Sequence, residues 1–189
     1  GLRFDHYKVD DATVETRLSP KLSLAYTWMR GQVVRVAWGH GFRVPSFAER
    51  FTDDREFLPI VRNLDLRPER SQSIEIGIRG AIRAAGVFSW DFSAFHNTYS
   101  GFIEPRLVLA EQAFQFINLP SATIDGAEVQ FEWQTPGERF KARLGYTYLD
   151  SKEDASGEDL PFRARHQVVT SVDARVWKMI SSGLDFRFA

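Results

Sequence analysis

At 189 residues the chain is long enough for one ordinary domain, and its 24 basic and 25 acidic residues leave a net charge of −1, which supports no nucleic-acid footprint. It has no cysteine, so a structural disulfide and a thiolate metal site are both excluded. Although 43% of the residues are hydrophobic, no apolar run approaches the roughly 20 residues of a membrane helix.

The chain instead alternates with a period of two, which places one set of side chains on each face of a strand. Leu2 and Phe4 give the first trace, followed by a polar link at Asp10–Thr16. Leu22, Leu24, Tyr26 and Trp28 share the next apolar face. After a short turn at Arg30-Gly31 come Val34, Val36 and Trp38. The segment Trp38-Gly39-His40-Gly41-Phe42-Arg43-Val44-Pro45-Ser46 then leaves this strand for the longest link, Val44–Arg67, and parity puts Arg43 on the polar face of Arg35. Ile74, Ile76 and Ile78 alternate with Glu75, Gly77 and Arg79, and a turn is expected at Gly80–Gly86. Phe88, Trp90, Phe92 and Ala94 follow in a segment that could run to Glu104 and project beyond a membrane, before a link at Pro105–Gln115. Ala127, Val129, Phe131 and Trp133 oppose Glu128, Gln130 and Glu132, ahead of the turn Thr135-Pro136-Gly137-Glu138. Residues 140–148 alternate strictly, with Lys141, Arg143 and Thr147 on the polar side, and lead into the link Ser151–Pro161. Segment 167–176 and the pattern Leu184/Phe186/Phe188 complete about nine strands around a turn at Lys178–Gly183. No stretch shows a helical period.

Two settings produce this pattern: a soluble β-sandwich with a buried apolar face, or a transmembrane barrel whose apolar face meets lipid. Segments of roughly nine to eleven residues suit a tilted bilayer crossing better than the five or six usual in soluble strands. The links alternate short and long, the outer-membrane arrangement, with the long links outside the cell. Trp28, Trp38, Trp133, Tyr146, Tyr148 and Trp177 stand near strand ends, where a membrane interface favours aromatic rings.

Catalysis has little support. His6, His40, His96 and His166 lie in separate segments without metal-ligand spacing. Glu128 and Glu132 are about 13 Å apart along one strand, too far for a glycosidase pair. Together with Glu75 they read as charges on a lumen wall. The five acids of Asp150–Asp159 lack the ladder of a calcium loop and read as a solvated loop.

The series Gly41-Phe42-Arg43-Val44-Pro45-Ser46, then Asn63-Leu64-Asp65-Leu66-Arg67-Pro68-Glu69, resembles paired patterns of the TonB-dependent outer-membrane receptors. Leu64 stands where that family usually has proline. Phe95–Glu104, Asn118 with Ile124-Asp125-Gly126-Ala127-Glu128, Gly145–Asp150 and Leu160–His166 resemble its later motifs in the right order, over essentially the whole chain. The resemblance implies an all-β, antiparallel up-and-down transmembrane β-barrel segment, about nine strands of a barrel of about 22. It implies that residues 1–189 are part of the barrel domain, from its C-terminal half, with the plug outside this chain. It further implies residence in the outer membrane of a Gram-negative-type bacterium, contact with its lipid, and import of a scarce bulky ligand such as a ferric siderophore. Energy would come from the TonB complex through the plug, with no cofactor and no enzymatic step. The family's haem-uptake branch leads one to expect a histidine in the long link; residues 44–62 contain none, which gives haem no support. Ligand contacts are expected from outer links and strand tops: Arg43, Arg55, Arg62, Tyr99, Arg106 and Arg163, whose guanidinium groups suit an anionic chelate. A passive porin-like barrel and a soluble β-sandwich binding module remain the alternatives.

Overall fold

A strand with one apolar and one polar face must find two different environments, and the sheet formed here provides them without a second layer. The computed structural model describes residues 1–8, 14–29, 31–54, 59–110, 112–177 and 180–189. Its strands are β1 (Leu2–Lys8), β2 (Val14–Met29), β3 (Gln32–Arg43), β4 (Ile60–Val61), β5 (Glu69–Arg83), β6 (Val87–Val108), β7 (Ala113–Gln134), β8 (Phe140–Glu153), β9 (His166–Trp177) and β10 (Ile180–Phe188). One short helix, α1 (Phe47–Phe51), lies between β3 and β4. Nine strands form one antiparallel meander in the order β1-β2-β3-β5-β6-β7-β8-β9-β10, while β4 pairs in parallel with β7.

The register keeps the two faces separate across the sheet. Val34 stands opposite Ile78, Ile78 opposite Phe92, Phe92 opposite Val129, Val129 opposite Tyr146, and Tyr146 opposite Val168. One residue away, Arg35, Gly77, Ser93, Glu128, Thr147 and Gln167 form the matching polar row. A one-residue slip anywhere would mix these rows, so the alternation itself fixes the pairing. The apolar face is uncovered: Leu24 is 66% exposed, Ile76 56% and Leu144 44%. A sandwich would bury these side chains; among the described residues nothing covers them. On β8 the apolar face from Phe140 to Tyr148 is about 27 Å long at strand rise, or about 21 Å tall at a barrel tilt near 40°, close to the band expected on an outer-membrane wall.

The described connections at one rim are all short, whereas two of those at the other are long. Gly31, Ala84–Gly86 and 135–139 make the near rim; 44–54 with 59–68, the β6–β7 tip beyond Val108, and 154–165 make the far rim. Several boundaries differ from the sequence reading. Gly80 lies inside β5, where a β-carbon would collide with the Trp90 ring, so the glycine admits that ring and the turn begins only at Ala84. Residues 105–108 and 113–115 are strand rather than loop: β6 and β7 continue as a ladder up to Val108↔Ala113. Pro105 and Pro120 are tolerated because β5 pairing stops at Ser100 and β8 pairing starts at Ala122, which leaves each proline on a free strand edge. Ser181, Ser182 and Gly183, read as turn, pair with β9, and Thr16 belongs to β2. Residues Ser151–Glu153, read as link, extend β8. Helix α1 is new. At five residues it is too short to show a period, yet Ser46 and Glu49 form a reciprocal capping box that starts it.

Buried apolar residues gather at the far rim rather than at the middle of the sheet. Phe102, Leu119, Ala122 and Leu160 form the cluster, with Tyr99, Ile117 and Ile124 packed against it. Ala122 and Ile124 share the face of Glu128, so this cluster sits on the polar, concave side.

Candidate functional site: the far-rim mouth of the concave face

The β6–β7 hairpin rises past its neighbours and serves as a post to which two links are tied. Gly101 bends it with φ +65°, in the left-handed region that a side chain disfavours. Link 44–68 attaches through polar groups. Asn118 donates its Nδ2 to the Arg67 carbonyl at 2.9 Å and the Gly101 carbonyl at 2.7 Å, and accepts from the Arg67 amide at 2.8 Å. Asn63 Nδ2 donates to the Phe116 carbonyl at 2.8 Å, and the Phe114 amide bonds the Pro59 carbonyl. These bonds satisfy backbone groups that the hairpin's free edges would otherwise leave open.

Arg43 organises the near end of that link. Its Nε and Nη2 donate to both oxygens of Glu69 at 2.7 and 3.1 Å, and Nη1 donates to Glu49 at 2.8 and 2.9 Å. Glu69 also accepts from the Ile103 amide at 3.1 Å, joining α1, β5 and the hairpin. Burial pushes the Glu49 carboxyl up, but the Ser46 amide and the Arg43 guanidinium outweigh it and hold the group below its usual range.

Link 154–165 is tied more deeply. Arg163 donates Nη1 and Nη2 to the two oxygens of Glu104, each at 3.1 Å, and its guanidinium lies 5.1 Å above the Phe102 ring. The Glu104 side chain is only 4% exposed, so this is a buried, two-pronged ion pair. Arg106 donates Nη2 to Glu153 at 2.6 Å, and its Nε is buried without an acceptor. Leu160 joins Phe102, Leu119 and Ala122 in the buried cluster.

The sequence-derived candidates among the described residues therefore meet at one rim. Tyr99 faces the concave side, half-buried, with its ring edge-on to Phe102 at 4.9 Å. Arg43, Arg106 and Arg163 all reach the hairpin or its partners, with their charges directed to Glu69 and Glu49, Glu153, and Glu104. Arg62 is exposed, 3.8 Å from Asp53. Arg55 lies outside the described residues. Sequence reasoning missed Glu69, Glu104, Leu160 and Asn118, because each acts through a partner far along the chain: Glu104 and Arg163 are 59 residues apart.

Below the mouth, the concave wall carries charge in compensated groups. Arg35 bonds Glu75 at 3.2 Å and Asp91 at 2.8 Å. Glu132 takes Lys141 at 3.0 Å and Arg143 at 3.3 Å, and Arg143 also reaches Asp173 at 3.5 Å. Such half-exposed pairs contribute little stability, but they give the wall a polar surface of small net charge. Glu75 and Glu132 are thereby bound in ion pairs rather than poised as an acid and a base.

The comparisons agree with this architecture. A family model described as TonB dependent receptor-like, beta-barrel, matches residues 1–188. A heme/hemopexin utilization protein C of Haemophilus influenzae is 24% identical over 198 residues, covering 92% of this chain and 28% of the relative. The solved siderophore receptor PirA of Acinetobacter baumannii superposes with a TM-score of 0.72 at 18% identity, covering 98% of this chain and 30% of that one. The copper transporter OprC gives 0.71 at 19%, covering 93% and 26%. The chain thus spans little more than a quarter of the length of the curated relatives it matches.

Proposed function

Because its family model matches residues 1–188, the chain belongs to the TonB-dependent receptor family and forms part of an outer-membrane β-barrel, and on that premise we propose that it is wall and outer mouth of a receptor that imports an iron-bearing cargo. The observation that carries this reading is the far-rim assembly: two links folded against the β6–β7 hairpin, above a concave wall of paired charges. Links held against the inner side of the wall, one of them by a buried ion pair, narrow the entrance, which suits a ligand-binding receptor better than a permanently open pore. The cargo is a ferric siderophore or haem. The missing histidine in residues 44–62 set haem aside, but the similarity to relatives named for haem use returns it to the candidates. Tyr99 and the exposed Arg62 are the contacts offered from the sequence-derived set, with Arg43, Arg106 and Arg163 shaping the mouth and available to a cargo only if their carboxylate partners release them. Arg55 completes the set as a proposal from sequence alone. In this reading a plug outside residues 1–189 closes the wall, and the TonB complex supplies energy through it; no step requires a cofactor or enzymatic chemistry.

The test is uptake by cells carrying the full-length receptor as their route for iron, supplied with haemin or a ferric siderophore. Iron-limited growth that depends on both the receptor and the energy-coupling complex is expected. Uptake that persists without that complex would overturn active import and favour a passive pore.

A further inference from the structure

We propose that Phe162 is a cargo contact, an aromatic side chain held over the mouth of the concave face to stack on a planar conjugated part of the imported molecule. The inference rests on the import reading above. It begins with backbone register. The Leu160 amide bonds the Ser151 carbonyl at 3.0 Å, and the Leu149 amide bonds the Arg165 carbonyl at 2.9 Å. Between those bonds β8 changes by two residues (151 to 149) while the link advances by five (160 to 165), so residues 161–164 leave the sheet. The direction of the excursion follows from its neighbours. Leu160 packs with Ala122 and Phe102 on the concave side, and Arg163 passes the face of β7 to reach Glu104 and Phe102 on β6. The excursion therefore lies over the inner face of the wall.

Phe162 is at its crest, with φ +60° and 82% exposure. A bulky side chain in the left-handed region is an outlier that persists only when its surroundings over-determine it. Two anchors do so here: Leu160 on one side, 3% exposed, and Arg163 on the other, in its buried pair with Glu104. An exposed phenylalanine is ordinary by itself. One that is strained, clamped from both sides and unpacked among the described residues gains nothing from this sheet, which points to a use outside it. The ligand class follows from what this corner presents. The charge of Arg163 is directed to Glu104 and its guanidinium covers the buried Phe102, so the surface this corner offers a cargo is the exposed ring of Phe162. Ring surface selects a flat π-system such as a catecholate ring or a porphyrin, through offset stacking.

The experiment uses the full-length receptor in outer-membrane vesicles and three probes: haemin, a ferric tris-catecholate and an aliphatic ferric trihydroxamate. Wild type is expected to bind haemin or the tris-catecholate. Phe162→Ala and Phe162→Gly should raise the Kd about three- to ten-fold, and Phe162→Tyr should stay near wild type. The glycine variant tolerates the same backbone angle without a ring, so it separates the ring from the strain. An unchanged Kd in Phe162→Ala, a loss in Phe162→Tyr as large as in Phe162→Ala, or wild-type binding of the trihydroxamate alone would overturn the proposal and leave import standing. Binding of none of the three by wild type would overturn the iron-cargo reading, and this proposal with it.

Discussion

Substituting Arg163 with alanine should release link 154–165 from the mouth while leaving the sheet intact. The Glu104 side chain is 4% exposed and both of its oxygens are taken by Arg163. Removing the cation leaves a buried carboxylate without a partner, which typically costs about 3–5 kcal/mol. The Arg163 side chain is 25% exposed, so water reaches the vacated side and the lower part of that range applies. Loss of the guanidinium from above Phe102 adds about 0.5–1 kcal/mol. Together these come to about 3.5–4 kcal/mol, which corresponds to roughly 300- to 700-fold more frequent local opening. Amide hydrogen exchange on the full-length receptor reads this directly at Leu160 and Gly157, whose amides bond Ser151 and Glu153. The double variant Arg163→Met/Glu104→Leu removes both charges and should recover most of the protection, since an apolar pair of similar size can replace a buried ion pair. Unchanged exchange in Arg163→Ala, faster exchange spread evenly over β5–β8, or no recovery in the double variant would refute the reasoning.

Other consequences follow from the same geometry. Leu144→Arg, at the middle of the apolar face of β8, should destabilise the folded receptor in lipid vesicles by about 2–4 kcal/mol, whereas Thr147→Lys on the concave face should cost little; urea unfolding compares them. Gly80→Ala should cost about 1–3 kcal/mol by overpacking against Trp90, and adding Trp90→Ala should offset part of that loss in a double-mutant cycle. Acid should loosen α1. The Glu49 carboxyl is held below its ordinary value, so its contribution is complete above that ordinary value and is lost as pH falls through the lowered folded one. Exchange at Arg50 and Thr52, whose amides bond the first turn of α1, should accelerate there in wild type and lose that pH dependence in Glu49→Gln.

The wall was legible because alternation needs no knowledge of partners. Each strand declares its two faces locally, and the faces of nine strands agree only in one register. Strand ends were harder to read. Gly80 and Pro105 look like turn residues, but one makes room for Trp90 and the other sits on an edge that exists only because β5 is shorter than β6. The mouth was half legible. Arg43, Arg106 and Arg163 stood out as cations in outer links, yet Glu69, Glu104 and Glu153 could be matched to them only after folding. Phe162 stood only inside the Leu160–His166 motif and was no site candidate, because its interest lies in a backbone angle and an exposure.

The central claim is that one face of this sheet meets lipid and the other meets water. The chain has no cysteine, so single cysteines at residues 140–148 of an otherwise cysteine-free full-length receptor can carry spin labels in lipid vesicles. Labels at the even positions should be relaxed by oxygen dissolved in the bilayer, and those at the odd positions by a water-soluble nickel chelate. Equal shielding at all nine positions, or the opposite parity, would contradict the claim.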